Sequence, residues 1–193
     1  MPSSSKRSEA DDTIFSAILP SEEVVQGADE ITRKVYLDHG LDGKPRPISQ
    51  FHVTLVYFGL YVDLQGDGME WVKRVCAIAS ARTSPFQGNL NQIGHFFKPP
   101  GRSAPLVLAN DQKQPGFEAC YNEAFDEAKA VGLNVKREKF NPHLTTGYSV
   151  KRVSFQPIDV LSWDVGEIVL LRSFHGLTRY EELGRWALNG EGW

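Results

Sequence analysis

The sequence predicts an α+β domain, and three observations carry the prediction. Segments with the two-residue alternation of strands are interspersed with segments whose apolar residues recur every three or four positions, so neither kind of element is confined to one part of the chain. Two strand-like stretches, 86–97 and 105–109, are separated only by a Pro- and Gly-containing loop, as in an antiparallel hairpin. Finally, 193 residues with 41% hydrophobic and 11% aromatic content bury a core without having to split, which makes one domain of two sub-lobes the economical arrangement.

In chain order, residues 1–12 are charged and Ser-rich with nothing to pack, so a disordered tail is expected there and the domain is expected to span 13–193. Residues 13–19 alternate as a first strand closed by Pro20. Ser21 has the character of a helix N-cap, with Glu22 and Glu23 in the first turn, and an apolar stripe from Val24 to Leu37 runs on to the stop at Gly40. The stretch 41–50, with two prolines and no periodicity, is a loop leading to a strand at 52–58 that Gly59 ends. A second amphipathic helix covers 68–80, and a third starts at Pro115 and runs to Val131, with Gly132 as its stop. Strands are then expected at 143–148, 161–165, 167–174 and 185–188, with a turn or short helix over 177–183.

Composition narrows the function classes. A formal net charge of −3 at pH 7 and the lack of a basic tail beyond Lys6-Arg7 argue against bulk electrostatic binding of nucleic acid, so any such contact must be local. Cys76 and Cys120 lie inside helix patterns without metal spacing, as expected of reduced thiols in a cytoplasmic protein. No apolar run approaches a membrane span, and the polar N-terminus lacks the apolar stretch of a signal peptide. No obligate protein partner is evident, and a monomer is expected.

The chemistry centres on Phe51-His52-Val53-Thr54-Leu55 and its echo Pro142-His143-Leu144-Thr145-Thr146. In a strand, alternate side chains share a face, so each motif presents an imidazole beside a hydroxyl. Chance alone gives about 0.2 His-x-Thr motifs in a chain of this composition, which makes a pair informative. Facing one cleft, the two motifs supply two proton-transfer groups and two hydroxyl donors, a set suited to a phosphate diester. Arg46 and Lys44 in the preceding loop are candidate phosphate contacts. So are Lys136, Arg137 and Lys139 before the second motif and Lys151 and Arg152 after it. Phe96, Phe97 and Arg102 offer a stacking surface for a nucleobase, or else two core rings and a solvated cation. A metal site would need a third ligand beside His52 and His143, and the sequence nominates none; no cofactor is expected.

The tetrapeptides His52-Val53-Thr54-Leu55 and His143-Leu144-Thr145-Thr146 resemble the two signatures of the two-histidine phosphoesterase superfamily, particularly its bacterial and archaeal 2'-5' RNA ligase, or RNA 2',3'-cyclic phosphodiesterase, branch. Residues 14–20 resemble that family's opening strand, and 168–188, with Ser173, Tyr180, Leu183 and Trp186, its closing segment. The resemblance implies two pseudo-symmetric lobes of mostly antiparallel sheet with outer helices, each giving one motif strand to a shared central cleft. It also implies metal-independent opening of 2',3'-cyclic phosphates on nucleotides or RNA ends to 2'-phosphates, with His143 activating water and His52 protonating O3', and it admits reversible 2'-5' ligation. Cleavage of 2'-5'-linked or cyclic oligonucleotide signals, or nucleotide binding without catalysis, are the alternatives. Two positions depart from the pattern: Thr146 stands where many relatives have a hydrophobic residue, and Tyr148 where many have an arginine. On an unbroken strand Tyr148 lies on the face opposite Thr145; a bulge would bring it round.

Overall fold

The computed structural model describes residues 9–99 and 101–190. Its elements are β1 (Thr13–Ile18), α1 (Glu22–Asp38), β2 (Val53–Leu60), α2 (Asp67–Arg82), β3 (Phe86–His95), β4 (Ala104–Ala109), α3 (Pro115–Ala130), β5 (His143–Ser149), β6 (Gln156–Val165), β7 (Glu167–Phe174) and β8 (Arg179–Ala187). Ser21 caps α1 by accepting the Val24 N–H at 3.4 Å. Pro115 occupies the first turn of α3, where its missing N–H costs nothing.

The eight strands form one antiparallel sheet in the order β6-β3-β4-β5-β2-β1-β7-β8. Its two four-stranded halves meet between the motif strands β2 and β5, which pair only through Val53↔Leu144. One face carries the main core: Val24 and Ala28 of α1, Val72 and Val75 of α2, and Phe117 and Ala124 of α3 share a buried cluster with Val53, Leu106, Leu144 and Ile168. Among the described residues the opposite face has only a small cluster of Phe15, Ala17, Val169 and Leu171, with Leu19 and Tyr180 against it. That sparsely covered face holds the motif side chains. Among the described residues no helix is long and apolar enough to cross a membrane.

Three expectations need correction. The tail does not reach Asp12. Residues 1–8 lie outside the described part, but Glu9–Asp11 form a 3-10 turn, and Asp12, fully buried, takes Arg172 through Nη2 at 2.7 Å and Nε at 3.0 Å. Glu9 joins the same guanidinium at 2.9 Å, and Tyr61 lies 3.6 Å beneath it. A local composition rule cannot foresee a partner 160 positions away. The strand expected at 161–165 starts earlier, at Gln156, because β3 offers an edge to pair with from Phe86 to Ile93. Of the turn or short helix expected at 177–183, Leu177 and Thr178 do lie in a turn, but from Arg179 on the chain is the first half of β8, an edge strand whose Arg179, Glu181, Glu182 and Arg185 suit a solvent-facing edge; pairing with β7 overrides their helix preference.

Asp12→Ala should destabilise the fold by about 3 kcal/mol, the lower end for breaking a buried ion pair, since Glu9 and Glu181 still face Arg172. The midpoint of urea unfolding measures this, and an unchanged midpoint would show the pair to be dispensable.

Candidate active site

The single pair Val53↔Leu144 fixes the geometry of the site. With these two residues in the core, antiparallel register sets His52 across from Thr145 and Thr54 across from His143, all four on the open face. Each imidazole therefore lies beside its own strand's threonine and opposite the other's.

Both rings are held in the same way. His52 Nδ1 lies 2.8 Å from the Gln50 carbonyl and His143 Nδ1 2.7 Å from the Asn141 carbonyl, each two residues upstream. A carbonyl only accepts, so Nδ1 carries the proton and, in the neutral ring, Nε2 is left as the free base. Pro142 restrains Asn141 to extended conformations, which helps to aim its carbonyl. Aromatic rings hold the other sides: Phe15 at 4.9 Å and Tyr180 at 5.3 Å from His52, and Phe96 at 4.8 Å from His143.

Burial lowers the proton affinity of both imidazoles. His52 is brought down to about 4, first by desolvation and then by repulsion from Arg46 and His143, against the opposing effect of the Gln50 carbonyl. His143 is lowered by desolvation, opposed by the Asn141 carbonyl.

Arg46 is the cation of the site. The loop after α1 runs along β5, with Pro45 bridging Gly147 and the Arg46 N–H donating to the Thr146 carbonyl at 2.7 Å. Arg46 thereby reaches the face of His52. Its guanidinium donates to the Tyr180 hydroxyl at 2.8 Å and to Gln50 Oε1 at 3.2 Å, and it sits 5.8 Å from the Tyr148 ring centre. Both hydrogen-bond partners are neutral, and among the described residues no carboxylate pairs with it. An uncompensated guanidinium of this kind suits a phosphate oxygen.

Tyr148 shares the face of His143 and Thr145 because β5 bulges. Thr145 pairs with Val107 and Gly147 with Leu106, which leaves Thr146 as the extra residue and turns Tyr148 to the open side. Thr146 is buried, its hydroxyl 3.5 Å from the Leu106 carbonyl. β2 does the same: Ala17 pairs with Thr54 and Phe15 with Tyr57, and the buried Ser16 hydroxyl accepts the Val56 N–H at 3.2 Å inside the irregularity. Both strands thus read His-x-Thr-x-x-Tyr, with a bulge between Thr and Tyr.

Other sequence-nominated residues go elsewhere. Lys151 is spent on structure, its Nζ donating to the Gly40 carbonyl at 2.8 Å and its N–H to Asp42 at 2.8 Å, so it fastens the end of α1 to β5. Arg102 is exposed on the loop between β3 and β4 and does not line the cavity beside His143. Arg137 pairs with Asp126 at 2.7 Å, and Arg152 donates to the Pro99 carbonyl at 2.8 Å. Phe96 packs on His143 and, with Phe97, lines the cavity beside it. Tyr180, marked in the sequence only by the family resemblance, touches both His52 and Arg46. Tyr57 joins the same face, and the sequence signal for it is its three-residue spacing from Thr54, which is that of Tyr148 from Thr145.

Comparison with known proteins agrees with this architecture. The profile of the 2'-5' RNA ligase superfamily matches residues 20–174, and the chain belongs to that superfamily. Among solved structures it is similar to Escherichia coli LigT complexed with 3'-AMP, with a TM-score of 0.74 and 23% identity over 92% of this chain and 98% of that one. A Thermus thermophilus protein gives a TM-score of 0.74 at 22% identity, covering 93% of this chain and 98% of its own. A structure described as a phosphoesterase gives 0.72 at 23%, covering 92% and 98%. No curated protein sequence matches the chain.

Proposed function

We propose that this protein is a phosphodiesterase that opens 2',3'-cyclic phosphates of nucleotides or RNA ends to 2'-phosphates by acid and base catalysis from His52 and His143. The observation that carries the proposal is the crossed quartet: two imidazoles with Nε2 free, two threonine hydroxyls and an uncompensated arginine on one sheet face. Structures of LigT with 3'-AMP, ATP and phosphate support a nucleotide phosphate as the ligand here.

In the reaction, His143 Nε2 takes a proton from water as its oxygen bonds to phosphorus. The bond from phosphorus to O3' breaks, and His52 Nε2–H gives its proton to the departing oxygen. Thr54 and Thr145 donate to the nonbridging oxygens, and Arg46 offsets the charge that grows in the pentacoordinate transition state. His143 ends protonated and His52 neutral, and exchange with solvent restores the start. Tyr148, with a phenol where relatives often carry a guanidinium, adds a hydrogen bond but no charge; the charge comes from Arg46. The acid must be charged, although burial keeps the free His52 neutral near pH 7. A phosphate seated on Arg46 cancels a cation that repels the imidazolium and adds an anion that attracts it, so substrate binding brings the proton to His52. No cofactor takes part, and the protein works as a cytoplasmic monomer.

The pH profile tests this. The free site needs one imidazole charged and one neutral, so kcat/KM should peak between two depressed affinities, one near 4 and the other below 6.5, and fall about tenfold per pH unit above the upper one. For kcat, the bound anion raises both affinities, so its alkaline limb should lie at higher pH. Rates from pH 4 to 8, with the product identified as the 2'-phosphate by chromatography, give the answer. Coincident alkaline limbs, or a 3'-phosphate product, would count against it.

A further inference from the structure

The cavity beside His143 takes in Thr54 and His143 of the quartet and extends well past them. Its volume is ≈ 870 Å³, whereas pockets for a single small ligand begin at about 300 Å³. It exists because β2 loses its second neighbour beyond Val53: Thr54 to Gly59 line the cavity instead of a partner strand. The facing wall, residues 134–141, is drawn away onto α3. The Tyr121 hydroxyl bonds to both the N–H and the carbonyl of Glu138 at 3.2 Å, and its ring stacks on Phe140 at 4.4 Å with planes 3° apart. The groove is thus held open by specific contacts.

Its walls carry an unused set of groups. Tyr57, turned to this face by the β2 bulge, is 53% exposed, and Phe97 is 84% exposed. Of the cations flanking the second motif, Lys136 and Lys139 have no acidic partner among the described residues, whereas Arg137, Lys151 and Arg152 are engaged. Glu138 is the one carboxylate on this wall. Two free cations and two exposed rings along a channel leading from the catalytic imidazole match a phosphate and a base.

Given the hydrolysis of cyclic phosphates proposed above, we infer that this groove is a subsite for a second nucleotide, with Lys136 and Lys139 on its phosphate and Tyr57 and Phe97 against its base. The 2' and 3' oxygens of the reacting nucleoside are both in the cyclic ester, so the second nucleotide joins through O5'. The preferred substrate is then an oligonucleotide end, not a free cyclic mononucleotide.

Three substrates test this on the full chain: a nucleoside 2',3'-cyclic phosphate, the same compound bearing a 5'-phosphate, and a dinucleotide ending in the cyclic phosphate. The expected kcat/KM rises about tenfold with the 5'-phosphate, by a step that shrinks with added salt, and about tenfold more with the second base. In the Lys136→Ala/Lys139→Ala double variant the 5'-phosphate step should fall to near one. In Tyr57→Ala the base step should fall, while Tyr57→Phe keeps it. Equal kcat/KM for the three substrates, or steps that survive these variants, would overturn the subsite. A phosphate step without a base step would overturn its base half. Failure of the wild-type chain on all three would instead remove the proposed reaction itself.

Discussion

Replacing either histidine of the quartet should slow hydrolysis of a 2',3'-cyclic nucleotide by about 10²–10⁴, with the double variant little slower than the worse single one. In the proposed reaction the imidazoles act in one step, one taking a proton as the other gives one, so removing the second from a site already lacking the first should cost little more. Both rings are half-buried on the thinly covered face, outside the main core, so the alanine variants should remain folded. The unequal roles have their own signature. With sulfur in place of the bridging O3', the leaving thiolate needs no proton, because a thiol is far more acidic than an alcohol. His52→Ala should then recover much of its rate and His143→Ala little. Rescue of His143→Ala alone would exchange the roles, and fully additive losses would dissolve the dyad.

The second large effect belongs to Arg46. Arg46→Ala should cost about 10²–10³ in kcat/KM, the range for losing a preorganised donor to a developing charge, with Arg46→Lys recovering only part, since an ammonium has no planar fork. The same change should move the His52 titration upward, because a repelling cation has gone. A free-enzyme NMR titration of the His52 imidazole would show that rise directly. An Arg46→Ala variant with unaltered rate and unaltered titration would leave the guanidinium as a clamp for Tyr180 and nothing more.

Much of the fold was legible because it is local. The spans of α1 and α3 follow from a cap, a proline and helical periodicity, and the motif strands from period-two alternation, although β2 runs through Gly59 to Leu60 because Ile14 and Thr13 of β1 pair with those residues. The meeting of the two His-x-Thr motifs on neighbouring strands was legible for the same reason, since each short repeat carries its own geometry. What depends on pairing was not. Tyr148 reaches the site only because Thr146 is squeezed out of the β4–β5 ladder, which a strand read alone does not reveal. Arg46 was visible as a loop cation, but its place beside His52 depends on Pro45 and Arg46 joining the edge of β5. Lys151 looked equally suitable by sequence and is tied to Gly40 and Asp42 instead. Asp12 looked like part of a tail because Arg172, its partner, lies at the other end of the chain.

In the proposed reaction side chains alone supply the acid, the base and the charge stabilisation. The most direct test is to incubate the protein with a nucleoside 2',3'-cyclic phosphate in excess EDTA and follow its conversion by chromatography. The expected result is complete conversion to the 2'-phosphate at the rate seen without chelator. Activity lost in EDTA and restored by a divalent ion would contradict it.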